Sequence, residues 1–175
     1  FYVLKDAIGE DALHRVLAGF LRKWAFKGPP YPTTRDFMAG LYAGTDPKFH
    51  PLIRDLFERI VFWENRATDA TAVKRADGKY AVTLKVSSTK HVADGKGKVA
   101  DEPMDEWVDV GVFARAPDGK EDDEKVLYLQ KARVTRPEAT FTIVVDQAPY
   151  EAGIDPYNKL VDTDSDDNRR QVVLH

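Results

Sequence analysis

Leu56-Phe-Glu-Arg-Ile-Val-Phe-Trp-Glu-Asn-Arg-Ala-Thr-Asp-Ala70 is the stretch in which the hydrophobic period of this chain changes. Before it, apolar residues recur at the i, i+3, i+4 spacing of amphipathic helices. After it they alternate, as in strands with one buried face. The reading that follows is an α+β chain with a helical segment over residues 1–66, an antiparallel β-sandwich over 67–161 and an acidic C-terminal tail over 162–175.

The totals exclude several classes. With 43% hydrophobic and 31% charged residues the chain has the composition of a folded protein. A net charge of −3 with both signs interspersed leaves no basic stripe for a phosphate backbone, so no nucleic-acid partner is expected. No apolar run is long enough to span a bilayer. The absence of cysteine removes disulfides, thiolate catalysis and cysteine–zinc sites together, and suits cytoplasm or a bacterial periplasm equally. The opening Phe-Tyr-Val-Leu-Lys-Asp-Ala-Ile has neither an initiator Met nor a charged leader before an apolar core. It reads as the last turns of a helix already under way in a longer chain.

Upstream of the quoted stretch, Gly9 is suited to close that first helix in a left-handed cap. Leu13, Val16, Leu17, Phe20, Leu21 and Trp24 then form one face of a second helix, with Glu10 and Asp11 at its start and Arg22 and Lys23 at its end complementing the helix dipole. Gly28-Pro-Pro-Tyr-Pro32 stops it. Thr33 and Asp36 have the spacing of a helix-starting cap, ahead of Phe37, Met38 and Leu41. Pro51 fits the first turn of a helix carrying Leu52, Ile53, Leu56, Phe57 and Ile60. A surface left by Phe1, Tyr2, Leu4 and Ile8 would be apolar and adhesive.

Downstream, Thr71, Val73 and Arg75 alternate with Ala72 and Lys74 up to a hairpin at Ala76-Asp-Gly-Lys79, where Asp-Gly supplies positive φ. Tyr80, Val82, Leu84 and Val86 return on one face. Residues 94–98 read as a flexible loop, and Trp107, Val108, Val110, Val112 and Phe113 as a strand apolar on both sides, hence central. Gly111 within it marks a bulge or a close neighbour. Asp118 to Lys125 reads as a charged, solvated loop, followed by strands over Val126–Arg133 and Ala139–Val145. A short strand over Glu151–Ile154 and a tight turn at Asp155–Asn158 follow.

Chemistry-bearing residues are scattered. His14, His50, His91 and His175 show no pair at helical zinc spacing, and a zinc site needs several converging ligands. Asp162, Asp164 and Asp166 alternate as in a calcium loop, but Asp167 stands where the sharp turn needs Gly and Val173 where the bidentate Glu belongs. Asp101, Glu102, Asp105 and Glu106 hold the residue types of an acid/base pair, although a loop leading into the Trp107 strand explains them more simply. No catalytic, cofactor-binding or metal residue is assigned.

The phrases Ala7-Ile-Gly-Glu-Asp-Ala-Leu13, Phe26-Lys-Gly-Pro-Pro-Tyr-Pro-Thr33 and Asp55-Leu-Phe-Glu-Arg-Ile60 are similar to the end of the catalytic region in zinc aminopeptidases of the aminopeptidase N family. Gly111-Val-Phe113, Leu127-Tyr-Leu-Gln-Lys131 and Ala152-Gly-Ile-Asp-Pro-Tyr-Asn-Lys-Leu160 extend the resemblance over nearly the whole chain. The last of these, with Asp166-Asp-Asn168, resembles the bacterial branch in which the peptidase follows an ABC-transporter permease. That resemblance implies the last helices of a thermolysin-like domain followed by its neighbouring β-sandwich. It implies zinc in the parent only, because the H-E-x-x-H motif and its downstream glutamate do not occur here, and the family's transition-state tyrosine falls just before Phe1. Its implied partners are the remainder of the parent, namely a catalytic domain and a transmembrane permease region, and the parent's peptide substrate. It also implies a soluble part of a membrane-associated protein, with the periplasmic side favoured. Two other readings stand beside it. One is a free-standing sandwich module that binds a protein or glycan through exposed Trp63, Tyr150 and Tyr157; the other is a transporter accessory without peptidase activity.

Overall fold

The computed structural model describes residues 1–115 and 124–175, so most of the loop expected from Asp118 to Lys125 lies outside the described residues. The chain is α+β and divides into two compact units, Phe1–Ile60 and Val61–His175.

In the first unit, α1 (Tyr2–Ile8) is followed by α2 (Glu10–Trp24), α3 (Thr34–Ala43), a 3-10 turn at Pro47–Phe49 and α4 (His50–Phe57). Gly9 separates the first two helices at φ 87 and ψ 151. This extended, positive-φ conformation is open to glycine and differs from the left-handed cap expected there. Asp36 starts α3 as anticipated: its carboxylate accepts the Thr33 N–H at 2.8 Å and the Thr33 hydroxyl at 2.9 Å. Those hydrogen bonds lower its pKa below the usual carboxylate value. Pro51 sits in the first turn of α4, where its missing N–H costs nothing.

Leu4, Leu13, Val16, Met38, Leu41 and Ile53 are the buried centre of this unit. The apolar face of α2 is narrower than its sequence suggests, because Leu13 and Val16 are buried while Leu21 is exposed. Ile60 also departs from expectation. Helix α4 ends at Phe57, and Ile60 is an exposed first residue of a strand.

The second unit is a sandwich of two sheets. One sheet runs β3 (Val99–Glu102), β2 (Tyr80–Ala93), β1 (Ile60–Lys74), β9 (Val173–Leu174), with β6 (Glu138–Val145) also paired to β2. The other runs β5 (Lys125–Val134), β4 (Glu106–Ala114), β7 (Glu151–Ile154), β8 (Arg169–Gln171). Val82, Leu84 and Ile143 from the first sheet and Val108, Val110, Val112 and Ile154 from the second belong to one buried cluster. Alternation places these side chains between the layers.

Strand β1 begins at Ile60, well before the expected start near Thr68. Its buried side chains are Val61, Trp63, Asn65 and Ala67, then Ala70 and Ala72. The inward face therefore moves from odd to even positions after Ala67, as one extra residue in a strand produces. Val73 alternates with buried Ala72 as expected and is exposed.

Residues 94–98 form a closed turn rather than a flexible loop. The Asp94 carboxylate accepts the N–H groups of Lys96 and Lys98 at 2.8 and 2.9 Å, and Gly97 takes φ 84. The hairpin at Asp77-Gly78 is present, with Gly78 at φ 84 and Asp77 accepting the Lys79 N–H at 3.1 Å.

The expected solvated tail after Asp162 is instead part of the sandwich. Strand β8 pairs with β7, and β9 runs parallel to β1 at Thr71–Val173 and Ala72–Leu174. Asn168 is fully buried. With its amide nitrogen turned toward acceptors, it faces the Asn65 carbonyl and the Asp162 carboxylate.

Gly111 of β4 lies directly opposite Gly153 of β7, so neither side chain fills that stretch of the outer face. A Cβ on Gly111 would sit 2.6 Å from the Phe113 ring and 3.1 Å from Pro156, and one on Gly153 would strike the Asn168 carbonyl oxygen. Replacing Gly111 by Ala is expected to destabilise the protein by about 1–3 kcal/mol through overpacking. Gly153→Ala should cost more, because its obstacle is a backbone oxygen that already accepts the Ile154 N–H at 3.0 Å. Gly40→Ala, within α3 and with nothing near the added methyl, should be neutral or gain roughly 0.5–1 kcal/mol. Urea unfolding of the three variants checks this order.

Candidate functional site

The densest set of buried ionisable groups lies on the outer face of the β5–β4–β7–β8 sheet. Asp109 enters the apolar β4 sequence at a position paired with Lys131 of β5. Its carboxylate meets the Lys131 ammonium at 3.1 Å and the Lys159 ammonium at 2.6 Å, and Asp109 and Lys159 are both largely buried. Just beyond β7, the Asp155 N–H donates to the Asp109 carbonyl at 2.7 Å. The Asp155 carboxylate turns back to accept the N–H groups of Lys159 and Leu160 at 3.0 and 2.9 Å. Asp155 and Asn158 adopt positive φ, 42 and 50, which closes the turn expected at Asp155–Asn158.

This arrangement fastens a turn to a sheet. Each Asp109 oxygen has its own ammonium and each Asp155 oxygen its own N–H. Burial raises the Asp155 pKa above the usual carboxylate value, the two backbone hydrogen bonds oppose the rise, and nearby Asp109 and Asp162 add to it.

Next to this clasp, the buried Phe113 ring has the Arg169 guanidinium 4.2 Å from its centroid and Tyr157 edge-on at 5.9 Å. Arg169 also pairs with Glu151 at 2.8 Å and with Glu124. Inside the sandwich, the buried Lys90 ammonium lies 2.6 Å from Glu106 and 5.8 Å from the centre of the Trp63 ring. Ser88 donates to the Asn65 side-chain carbonyl at 2.6 Å.

The residues singled out from sequence are dispersed among such partners. Asp101 meets His91 Nδ1 at 2.9 Å, Asp105 forms a two-pronged pair with Arg133 at 2.6 and 2.8 Å, and Glu106 belongs to Lys90. They form no acid/base couple with one another. In the calcium-like run, Asp162 accepts the N–H groups of Asn65 and Asp164, Asp164 accepts that of Asp166, and Asp167 pairs with Arg66. His14 stands 3.9 Å from Glu10, and the ring of His50 packs edge-on against Tyr42. Among the described residues, no group of three or more His, Cys, Asp or Glu side chains is placed to hold a metal ion. Trp63, expected in an exposed aromatic surface, is buried because β1 starts early and turns it inward.

Sequence reading missed the Asp109–Lys131–Lys159 set. The signal was there: a lone Asp between Val108 and Val110 in an otherwise apolar strand must be paired if it is buried. In the helical unit, a groove of about 540 Å³ lies between α2 and α3, floored by Gly19, Gly40 and Ala43 and bordered by Arg15, Lys23 and Asp36.

The raised Asp155 pKa gives a signed expectation. In the interval above the ordinary 3.8, folded Asp155 holds its proton while the unfolded residue has lost it. Its contribution to stability therefore falls as pH rises through that interval and is favourable below it. Asp155→Asn removes this titration, so the wild-type stability relative to the variant should decrease between about pH 4 and the folded-state pKa. Urea melts across that range read the slope; a difference that stays flat would show that the carboxyl is not perturbed. No known protein family, curated protein or solved structure matches this chain.

Proposed function

We propose that this chain is the non-catalytic C-terminal part of a membrane-associated zinc aminopeptidase. Its helical unit would then end a thermolysin-like catalytic domain and its sandwich would support it. The observation that carries the reading is where the resembling phrases fall. Gly111-Val-Phe113, Lys131 and Gly153-Ile-Asp-Pro-Tyr-Asn-Lys159 are separated in sequence, yet they meet in one clasp in which glycine, aspartate, proline and lysine each have a defined packing or pairing role.

A sandwich module binding through Trp63, Tyr150 and Tyr157 has less support. Trp63 is buried, and the Tyr150 ring is engaged by Arg115 at 4.7 Å and its hydroxyl by Gln171 at 2.9 Å.

The purified chain, incubated with zinc and then dialysed, is expected to hold no stoichiometric metal and to release no amino acid from peptide substrates. Chelator-sensitive turnover would place the chemistry inside this chain and end the proposal. In the gene, the codons ahead of Phe1 should encode H-E-x-x-H and a downstream glutamate; an open reading frame without them would point to the transporter accessory instead.

A further inference from the structure

At one end of the helical unit, the last turn of α2, the 25–32 segment and the first turn of α3 carry apolar and basic side chains in alternation. Leu21 is 63% exposed, Phe26 109% and Tyr31 70%. Phe26, at φ 61, stands clear of the chain at a position where a non-glycine residue is uncommon. Arg22, Lys23 and Lys27 lie between these residues and Arg35 just beyond them, all exposed, with Lys23 near enough to Asp36 to help lower its pKa. The Lys23 and Lys27 ammonium groups lie 5.1 and 5.9 Å from the centre of the Trp24 ring. Lys23 and Asp36 border the same groove, which places the start of α3 beside the end of α2. Asp36 is the only carboxylate in residues 21–36, and it is held by Thr33 in the helix cap.

We infer that this tip is a contact site for the surface of a bilayer rich in anionic lipid headgroups. Four exposed cations against one capped carboxylate, in a chain of net charge −3, give the tip a sign opposite to the molecule as a whole and matched to an anionic surface. Its apolar groups project singly and are separated by lysine and arginine. That is the pattern of interfacial anchoring, where rings enter the headgroup boundary and ammonium groups stay at the phosphates. A protein hot spot instead gathers its aromatics in a desolvated cluster. Among the described residues no helix is long and apolar enough to cross a membrane. The inference stands on these residues and survives the loss of the aminopeptidase reading.

The test uses the whole chain with phosphatidylcholine vesicles and with vesicles in which about one-third of the lipid is phosphatidylserine. Sedimentation with the anionic vesicles alone, weakened by added salt, is expected. In a Trp107→Phe background, where buried Trp63 gives a constant signal beside Trp24, the tryptophan emission should shift to the blue on binding. Phe26→Ser with Leu21→Ser should abolish sedimentation, and Lys23→Gln and Lys27→Gln should each lower the partition coefficient about fivefold. Circular dichroism confirms that each variant is folded, and the lysine variants decide the matter if the serine variant is not. Absence of binding to anionic vesicles, or binding unchanged in both sets of variants, overturns the inference. So does self-association or protein capture that Phe26→Ser abolishes while the wild type ignores vesicles.

Discussion

A strand edge left open exposes a row of unpaired N–H and C=O groups, and the long edge of β1 is closed by the far end of the chain. The Trp63 N–H donates to the Val161 carbonyl at 2.8 Å, the Thr163 N–H donates to the Trp63 carbonyl at 3.2 Å, and the Asn65 N–H donates to the Asp162 carboxylate at 2.9 Å. Farther along, β9 lies parallel to the second half of β1, and the His175 N–H reaches the Ala72 carbonyl at 2.9 Å. Between these contacts β8 pairs with β7 in the opposite sheet. One segment thus supplies edge partners to both layers. The burial of Trp63, the pairing of Asn168 and the position of Arg169 over Phe113 all depend on its path.

The outer face of the second sheet is organised by a complementary constraint. Opposed Gly111 and Gly153 leave a shallow trough, and Pro156, the Phe113 ring and the Asn168–Arg169 backbone fill it. Asp109 and Lys159 then meet away from most of the solvent. Removing either partner would strand a buried charge, a cost on the order of 3–5 kcal/mol, even where the pair contributes little net stability against an apolar pair of the same shape. Specificity of the turn's position is the gain.

How far this was legible depended on whether a residue's neighbours in sequence were also its neighbours in space. The Asp77-Gly78 hairpin, the central β4 strand, the Phe141–Val145 alternation and the Thr33–Asp36 cap rest on local chemistry and stand where expected. Ile60 to Ala67 was obscured because Ile-Val-Phe-Trp continues an apolar helix without a break and because a buried Asn65 interrupts the alternation that follows. Asp162, Asp164 and Asp166 have the composition of a solvated end, yet the carboxylates of Asp162 and Asp164 are spent on backbone N–H groups, one of them far away in sequence. For the ionic clasp, Asp109 alone was a hint. Its partners Lys131 and Lys159 come from a neighbouring strand and a later turn that no spacing rule connects to it.

The Asp162–Asn65 hydrogen bond spans 97 positions of chain. The edge partner of the first strand therefore lies far along the chain, and closure entropy over that distance slows the pairing. Until that partner arrives, β1 has an unpaired edge to which other chains can add. Protection of that edge thus depends on a non-local closure rather than on the strength of the finished core.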